Sequence, residues 1–399
     1  MKIPAGIDVH KNFLEVAFRQ PSGEKKIIRV EYTPEGINKL VKLLRRYGAT
    51  DVYMESTGDY YLPLYYALKG ASIKPHVMNA YKIRRPESNK TDSRDAVWLL
   101  EIGESELFSD SYVPDKDIQA LRFLMRKRMK LVDRISDIKR EINSILWRLG
   151  LQASQFAKKL KSKKKRKLLL DLLKGRLDPD SVGNSDVKTL YDVLLRSEFR
   201  EYIFVLKSRL EDLAHLESQL KEFDREITAL AKKFEDAIRI LMSIPGISFV
   251  LAVGVLSEIG DIDRFPSPAH LASYAGLVPT ARNSGGKRRS GRPSRKTNKY
   301  LRRYMFLAGM AAVRSGSHVV RGFFQRLLSR GKHYKVCVVA VARKLLCVIW
   351  HLLRRGEVWR EADYFKRSRR FPRGRRNRIS VRDAIAILVR AGYLVRRKV

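Results

Sequence analysis

The sequence predicts a mixed α/β domain at the start of the chain, followed by regions that are mainly helical. Two observations support this prediction. Between residues 3 and 78, short apolar segments with strand-like alternation are interspersed with segments of helical period. From Asp117 onward, the apolar residues recur at heptad spacing, which is typical of long helices.

The α/β domain begins with three predicted strands. Residues 3–18 contain two alternating segments joined by a tight turn at 10–12. Residues 26–32 form a third alternating segment after the turn signal Pro21-Ser22-Gly23. A three-stranded meander is therefore expected first.

Helices and buried strands then alternate. The pattern predicts a helix at 34–48, a short strand at 52–54, a helix at 60–68, a strand at 73–78 and a helix that passes through Ala96. Three strands followed by helix, strand, helix, strand and helix is the element order of a ribonuclease-H-like domain. That fold class is our prediction for the first part of the chain.

Four acidic residues stand where such a fold brings its strands and a late helix to one end of the sheet. Asp8 lies inside the first apolar strand, and Glu55 ends the fourth. Asp92 and Asp95 open the late helix three residues apart, which places both carboxylates on one helix face. Neighbouring like charges cost stability unless a cation lies between them, so the four acids predict a divalent metal site with oxygen ligands. The alternative is four unrelated residues, with Asp92 serving only as a helix cap.

The net charge of +40 over 399 residues predicts a polyanionic partner, most simply a nucleic acid. An anionic membrane surface is the competing interpretation. However, we find no apolar run of the roughly 18 residues that a membrane span needs, and no leader opens the chain. Cys337 and Cys347 lie in an apolar stretch, as buried thiols do in a reducing cytoplasm.

Acidic residues are distributed unevenly along the chain. Between Arg264 and Arg360 the only acid is Glu357, whereas lysine and arginine recur throughout. That region cannot supply a carboxylate metal site. A metal therefore belongs to the start of the chain, and the basic part must bind phosphate or contribute a different group.

Two heptad patterns predict a pair of long helices in an antiparallel coiled coil. The first runs from residue 131 to 149 and the second from 206 to 234. Between them lies a lysine-rich insert at 158–167, in which Lys163 and Lys164 are candidates for phosphate contact. A solvated charged face is the alternative.

The segment Ser243-Ile244-Pro245-Gly246-Ile247-Ser248 lies between two helical patterns. Its turn is similar to that of a helix-hairpin-helix, whose turn amides bind a nucleic-acid phosphate. An ordinary helical hairpin is an equally good interpretation.

A basic, glycine-rich segment at 276–293 predicts a flexible loop that attracts anions. Ser284 stands in it before two glycines. Loop composition alone favours a turn or phosphate contact for this serine, because a serine nucleophile needs activation by flanking cations or a metal. The basic residues expected to bind nucleic acid here are Lys287, Arg288, Arg289 and Arg292.

The remaining pattern is helical and then strongly basic. Apolar helices are predicted at 300–313, 322–328 and 336–353, and an arginine-rich tail at 366–378 has a composition similar to RNA-binding segments. A last amphipathic helix through Val389 follows a capping box. The predicted domains are 1–112, 113–238, 239–358 and a tail of 359–399.

Several short motifs occur in order between about residues 3 and 355. They are Gly6-Ile7-Asp8-Val9-His10-Lys11, Glu55-Ser56-Thr57-Gly58, Lys90-Thr91-Asp92-Ser93-Arg94-Asp95-Ala96, Tyr274-Ala275-Gly276-Leu277-Val278-Pro279, Ser284-Gly285-Gly286-Lys287 and Ala342-Arg343-Lys344-Leu345-Leu346. As an ordered set they resemble the insertion-sequence transposases with a DEDD, RuvC-like amino-terminal domain. Pilin-gene invertases and bridge-RNA-guided recombinases belong to the same family.

The resemblance implies a DNA transposase or site-specific recombinase. The implied metal ligands are Asp8, Glu55, Asp92 and Asp95, which would bind Mg²⁺, with Mn²⁺ as a possible substitute. Ser284 would be the nucleophile on a DNA phosphate. Family members commonly have a serine pair before the glycines, whereas this chain has Asn283-Ser284, so Ser290 and Ser294 are only remote alternatives.

The resemblance also implies partners. They are the DNA of the element ends and the target, a noncoding RNA that selects both, and further copies of this chain in a dimer or tetramer whose subunits share the active sites. The location implied is the cytoplasm of a prokaryote, near the nucleoid, with no membrane partner. The sequence itself shows only basic segments that suit such partners.

Two other functions fit parts of the sequence. A metal-dependent nuclease similar to a Holliday-junction resolvase would hydrolyse a strand with water, and Ser284 would merely bind phosphate. A non-catalytic nucleic-acid-binding protein would bind in a salt-dependent way that is indifferent to loss of Asp92. The presence of all four acids argues against the second.

Overall fold

The computed structural model describes residues 3–20, 22–56, 58–79, 92–105, 108–151, 162–182, 186–196, 198–278, 280–284, 287–291 and 297–360. The chain forms two compact units, Met1–Leu220 and Lys221–Val399. The predicted arginine-rich tail and last helix lie outside the described residues.

The first unit contains a five-stranded sheet with the strand order β3-β2-β1-β4-β5. Its strands are β1 (Pro4–Val9), β2 (Phe13–Arg19), β3 (Lys25–Glu31), β4 (Asp51–Glu55) and β5 (Lys74–Met78). The first three strands form an antiparallel meander, whereas β1, β4 and β5 are parallel. The helices of this part are α1 (Pro34–Arg46), α2 (Leu62–Gly70) and α3 (Asp92–Ser105). The predicted order of strands and helices is confirmed.

One face of the sheet is aliphatic and packs against α1 and α2. Successive strand residues point to opposite faces, so Ile7 of β1 and Val52 of β4 share this face. They pack against Leu40 of α1 and Leu68 of α2, all four being buried. Each such side chain stabilises the fold by roughly 1.5–3 kcal/mol on leaving water.

The other face of the sheet carries small residues that let α3 approach closely. A Cβ atom on Gly6 would lie 2.2 Å from the carbonyl oxygen of Ala96 and 2.4 Å from the backbone nitrogen of Leu100. Ala17 of β2 is buried in the same cluster as Ala96 and Leu100. Gly6 precedes Asp8 by two residues on the same face, so this contact fixes how α3 passes over the strand that carries Asp8.

Two long helices run in opposite directions within the first unit, as the heptad pattern predicts, and the second of them continues past Leu220. They are α4 (Lys116–Arg148) and α7 (Arg200–Ala231), with α5 (Lys163–Leu173) and α6 (Asp186–Leu195) between them in sequence. Arg148 at the end of α4 lies 5.9 Å from the ring of Tyr202 at the start of α7, whereas Lys139, earlier in α4, pairs with Glu217, later in α7, at 3.4 Å. Leucines of α5 and α6 join the core of these helices: Leu169, Leu172, Leu190 and Leu194.

The basic insert is only partly a solvated face. Lys163 and Lys164 are exposed at the start of α5. Arg166 is buried and donates through one guanidinium nitrogen to both carboxylate oxygens of Glu217, each at 2.6 Å. Arg166 therefore stabilises the packing of α5 against α7 and is not part of a solvated charged face. The insert's first residues, 158–161, lie outside the described part of the chain.

The second unit is largely helical. Its helices include α8 (Glu235–Met242), α9 (Phe249–Ile259), α10 (Pro268–Tyr274), α11 (Lys299–Arg314), α12 (His318–Leu328) and α13 (Tyr334–Arg355). By length and composition α13 could cross a membrane, so the expectation that no apolar run is long enough is wrong for this helix. Its residues Cys337, Val341, Leu345 and Ile349 are buried, which is the pattern of a core helix.

The turn between α8 and α9 packs against α11. Gly246 has a φ of +86°, and a Cβ atom there would lie 2.3 Å from the backbone nitrogen of Ala312. Only glycine suits that backbone and that approach. The helical hairpin is therefore present, and phosphate binding by its turn stays a prediction.

The basic glycine-rich segment is not the loop that we predict from its composition. Its backbone forms an antiparallel pair, β6 (Thr280–Ser284) and β7 (Lys287–Gly291), with Ser284 opposite Lys287. Two residues, Gly285 and Gly286, separate the strands, and Gly-Gly is a favoured sequence for a two-residue hairpin turn. That signal outweighs the general flexibility of glycine.

Candidate active site

Asp8 and Glu55 stand side by side at the carboxyl ends of two parallel strands. Ile7 of β1 pairs with Met54 of β4, so the next residue on each strand is an acid. Both acids lie on the face that α3 covers, because strand residues alternate between faces. In α/β sheets, ligands commonly bind at the carboxyl ends of parallel strands.

The first turn of α3 adds Asp92 and Asp95 to this end of the sheet. A helix N-terminus carries a partial positive charge that stabilises carboxylates in the first turn. The close contact at Gly6 fixes the helix so that its first turn lies over the end of β1. Asp8 and Asp92, predicted from sequence as parts of one site, are thereby brought together.

The contact between these two acids runs through His10. The Nε2 atom of His10 lies 2.9 Å from Oδ2 of Asp8 and 3.3 Å from Oδ1 of Asp92. Together these three residues offer ligand atoms that lie within 4.8 Å of one another. Sequence reasoning missed His10. The available signal is its spacing of two from Asp8, which places both side chains on one side of the chain.

Burial and neighbouring acids act on Asp8. Burial raises the pKa of Asp8, and the carboxylates of Asp95 and Glu55 raise it further, whereas His10 opposes the shift. Glu55 and Asp95 are thus near enough for their charges to act on Asp8. Among the described residues, however, the atoms close enough to share one ion belong to Asp8, His10 and Asp92.

This donor set suits a divalent cation. Ligands of Mg²⁺ or Mn²⁺ lie about 2.1 Å from the ion in near-octahedral geometry, so adjacent ligand atoms are about 3 Å apart. The separations of 2.9 and 3.3 Å from His10 to the two carboxylates are close to that value. Two carboxylates and an imidazole could therefore hold a metal here, with Glu55 and Asp95 adding negative charge.

A second layer of side chains supports His10. Its ring stacks on Phe13 with a centroid separation of 4.7 Å, and the guanidinium of Arg29 lies 4.1 Å from the same Phe13 ring. Arg29 in turn donates through Nε to Glu15 at 2.6 Å. Glu15 is only 3% exposed, pairs across the strands with Asp8 and was not identified from the sequence.

The backbone on both sides of the Ser284 hairpin is fixed by Asn298 and its neighbours. The Asn298 backbone N–H donates to the carbonyl oxygen of Tyr274 at 2.8 Å, which joins the residue before α11 to the end of α10. Its side-chain amide donates to the Tyr274 hydroxyl at 2.9 Å and to Glu258 at 2.8 Å. Glu258 is fully buried, a rare position for an acid.

The other predicted nucleic-acid contacts are only partly described. The backbone of Ser284, Lys287, Arg288 and Arg289 lies in the hairpin, and their side chains lie outside the described part of the structure, as does all of Arg292. Lys163 and Lys164 are exposed on α5. Their roles stay predictions.

Comparison with known proteins places these features in a family. A sequence profile of IS110-type DEDD transposases matches residues 5–150, and a profile of the transposase IS116/IS110/IS902 family matches residues 238–325. Together the two profiles span more than half of the chain. The chain belongs to the IS110 family of transposases.

Individual relatives agree with the profiles. The uncharacterised 43.6 kDa protein of insertion element IS110 from Streptomyces coelicolor is 32% identical over 152 residues, which are 38% of this chain and 37% of that protein. The transposase of insertion sequence IS1111A from Coxiella burnetii is 27% identical over 294 residues, 72% of this chain and 71% of the relative. A pilin gene-inverting protein from Moraxella bovis is 27% identical over 158 residues, 39% and 49% of the two chains.

The two profiles divide the IS110-family site residues between them. The DEDD profile spans all four predicted metal-binding acids, together with His10 and Glu15. The second profile spans the Ser284 hairpin and Asn298. Alignment with the Streptomyces and Moraxella relatives covers less than half of each of those proteins.

Proposed function

We propose that this IS110-family chain is a DNA transposase or site-specific recombinase. The observation that carries the proposal is the meeting of Asp8 and Asp92, at the end of β1 and the start of α3, within the segment that matches the DEDD transposase profile. Two relatives are named for transposition and for pilin-gene inversion, and both processes are rearrangements of DNA. A net charge of +40 suits a DNA-binding enzyme.

The first unit is the metal-binding half in this proposal, with a ribonuclease-H-like, RuvC-like catalytic domain. The ligands proposed are Asp8, Glu55, Asp92 and Asp95. Bound Mg²⁺, or Mn²⁺ in its place, would stabilise charge on the reacting phosphate and favour loss of the proton from the attacking hydroxyl. The chain's own contribution is to hold the acids on rigid elements, the end of β1 and the start of α3. At Gly6 these two elements meet without an intervening side chain.

The hairpin in the second unit supplies the nucleophile. The Ser284 oxygen forms a bond to phosphorus while the bond from phosphorus to the departing strand breaks. In the net reaction the serine proton is transferred to the departing oxygen, which leaves as a hydroxyl group. The phosphoserine link conserves the energy of the phosphodiester, so the reverse attack rejoins strands without ATP.

Partners complete the proposal. DNA of the element ends and of the target is the substrate, a noncoding RNA selects both, and several copies of the chain assemble as a dimer or tetramer in the prokaryotic cytoplasm. The basic residues proposed to contact nucleic acid are Lys163, Lys164, Lys287, Arg288, Arg289 and Arg292. Binding through such residues weakens steeply with salt, because phosphate contacts release counterions.

A trapping assay tests the chemistry. Purified protein with its co-purifying RNA, labelled element-end DNA and Mg²⁺ is separated on a denaturing gel for the wild type, Ser284→Ala and Asp92→Asn. Ser290→Ala, in the facing strand of the same hairpin, is the matched control. We expect a protease-sensitive protein–DNA adduct in the wild type and the control only.

Two results would contradict the proposal and favour another function. Cleaved DNA without any adduct, still formed by Ser284→Ala but not by Asp92→Asn, would identify a nuclease that uses water. Salt-dependent DNA binding without cleavage in any variant, under conditions where Mg²⁺ binding is demonstrated, would identify a binding protein instead.

A further inference from the structure

We propose that His10 is itself a ligand of the metal, supplying an imidazole nitrogen beside the carboxylates of Asp8 and Asp92. The inference rests on the proposed function, because it adds a residue to the same metal site. It departs from an all-carboxylate site in the number and the chemistry of the donors.

The position of the imidazole nitrogen carries this inference. A single atom, Nε2, faces both carboxylates, at 2.9 Å from Asp8 and 3.3 Å from Asp92. These separations are close to the distance of about 3 Å between adjacent ligands around Mg²⁺ or Mn²⁺. A cation shared by the two acids would therefore lie within reach of Nε2 after only small movements.

The packing around His10 holds the ring in that position. Phe13 stacks on the imidazole at an interplanar angle of 26°, and Arg29 lies over the Phe13 ring. The His10 backbone N–H donates to the carbonyl oxygen of Phe13 at 3.0 Å, which closes the tight turn between β1 and β2. A ligand oriented by surrounding groups loses little freedom when it binds metal.

A counter-ion role is the competing explanation. An imidazolium could hold Asp8 and Asp92 together before metal binds and then move out of the site. Moving out would break the stacking with Phe13, whereas binding the metal keeps it. The packing therefore favours a ligand over a displaced counter-ion.

The choice of metal follows from the donor type. Carboxylates suit both Mg²⁺ and Mn²⁺, and imidazole suits the later first-row metals. Mn²⁺ is the softer of the two ions and therefore gains more than Mg²⁺ from an imidazole nitrogen. His10→Gln keeps a polar side chain of similar reach but removes the imidazole. We expect this variant to bind Mn²⁺ about tenfold or more weakly, and to lose Mg²⁺ affinity by a smaller factor.

Pulsed electron paramagnetic resonance of Mn²⁺ bound to the full-length protein tests the ligand directly. Coordinated ¹⁴N-imidazole modulates the electron spin echo, and protein grown with ¹⁵N-histidine shifts that modulation. We expect a histidine-dependent nitrogen signal in the wild type and its loss in His10→Gln. His215→Gln, which changes an exposed histidine of α7, should keep the signal.

The outcomes distinguish failure of the His10 ligand from failure of the metal site as a whole. Mn²⁺ bound by the wild type without a histidine nitrogen signal would overturn the role of His10 and leave the carboxylate site intact. Failure of the wild type to bind Mn²⁺ or Mg²⁺ at all would overturn the metal site and His10 together. If His10→Gln does not fold, the isotope comparison in the wild type decides alone.

Discussion

A methyl group on Gly6 would stand 2.2 Å from the carbonyl oxygen of Ala96, so β1 and α3 meet backbone to backbone. No other residue type can occupy position 6 without moving the helix. Asp8 of the strand and Asp92 of the helix therefore lie close together because of a position that carries no side chain.

Gly6→Ala is expected to lower the free energy of unfolding by about 3 kcal/mol, because overpacking against rigid backbone cannot be relieved by a rotamer change. It should also weaken Mn²⁺ binding, since the helix that carries Asp92 must shift. Urea titration and Mn²⁺ titration measure the two effects. Gly70→Ala, where an added Cβ meets nothing within 4 Å, is the control and should change stability by no more than about 1 kcal/mol. Equal effects of the two substitutions would contradict this account.

Metal binding should stabilise the folded protein through its acids. Mg²⁺ at a hundred times its dissociation constant raises the free energy of unfolding by about 2.7 kcal/mol if only the folded state binds it. Asp8→Asn and Asp92→Asn should each abolish most of this gain. Asp115→Asn, which changes an exposed acid that pairs with Lys69, should retain it. Thermal unfolding with and without Mg²⁺ measures the effect, and an undiminished gain in Asp92→Asn would count against the site.

The Arg19–Glu104 pair should make stability depend on acid pH. The two hydrogen bonds from Arg19, 2.6 and 2.9 Å long, lower the pKa of Glu104 below its usual 4.5. The pair's stabilisation is therefore present above the unfolded pKa and is lost as the pH falls through the folded value. Urea midpoints of the wild type and Arg19→Gln should differ at pH 6 and converge toward pH 3. A difference that persists unchanged at pH 3 would show that the pair acts through packing alone.

Asn298→Asp should be more harmful than Asn298→Ala, although aspartate keeps the helix cap. The Asn298 side-chain oxygen accepts from the backbone N–H groups of Tyr300 and Leu301, and loss of such a cap costs about 1 kcal/mol. The new carboxylate, however, would face buried Glu258, where like charges repel strongly.

The measurement is urea unfolding of both variants, with hydrogen exchange at residues 280–291 as a local readout. Faster exchange in the hairpin is expected for both substitutions, because Asn298 joins its base to Tyr274. Tyr274→Phe, which removes a single acceptor of the Asn298 amide, should give a smaller change. A milder effect from aspartate than from alanine would contradict this account.

Much of the first unit could be predicted from the sequence because its strands alternate clearly. The alternation that buries Ile7 also turns Asp8 to the opposite face, and the parallel register places Glu55 beside it. Helical spacing then predicts that Asp92 and Asp95 lie on one face of the late helix. These inferences needed only local periodicity and the element order.

The supporting residues could not be found in that way. Glu15 of β2 and Arg29 of β3 look like ordinary polar strand residues in the sequence. Only the sheet register places Glu15 beside Asp8 and Arg29 beside Glu15. Arg166 lies within a basic run, yet its burial depends on a partner 51 residues away. Cross-strand and cross-helix partners of this kind leave no periodic trace in a single sequence.

The close contact between β1 and α3 at Gly6 matters when one judges which copies of an insertion sequence still encode a working enzyme. Inspection of the four acids is not sufficient. In a copy that keeps every carboxylate but acquires a side chain at position 6, α3 can no longer pack against β1. Inactivating changes are thus expected at a residue that never touches DNA, metal or the reacting phosphate. Glycine at this position is as informative about an intact site as any of its charged residues.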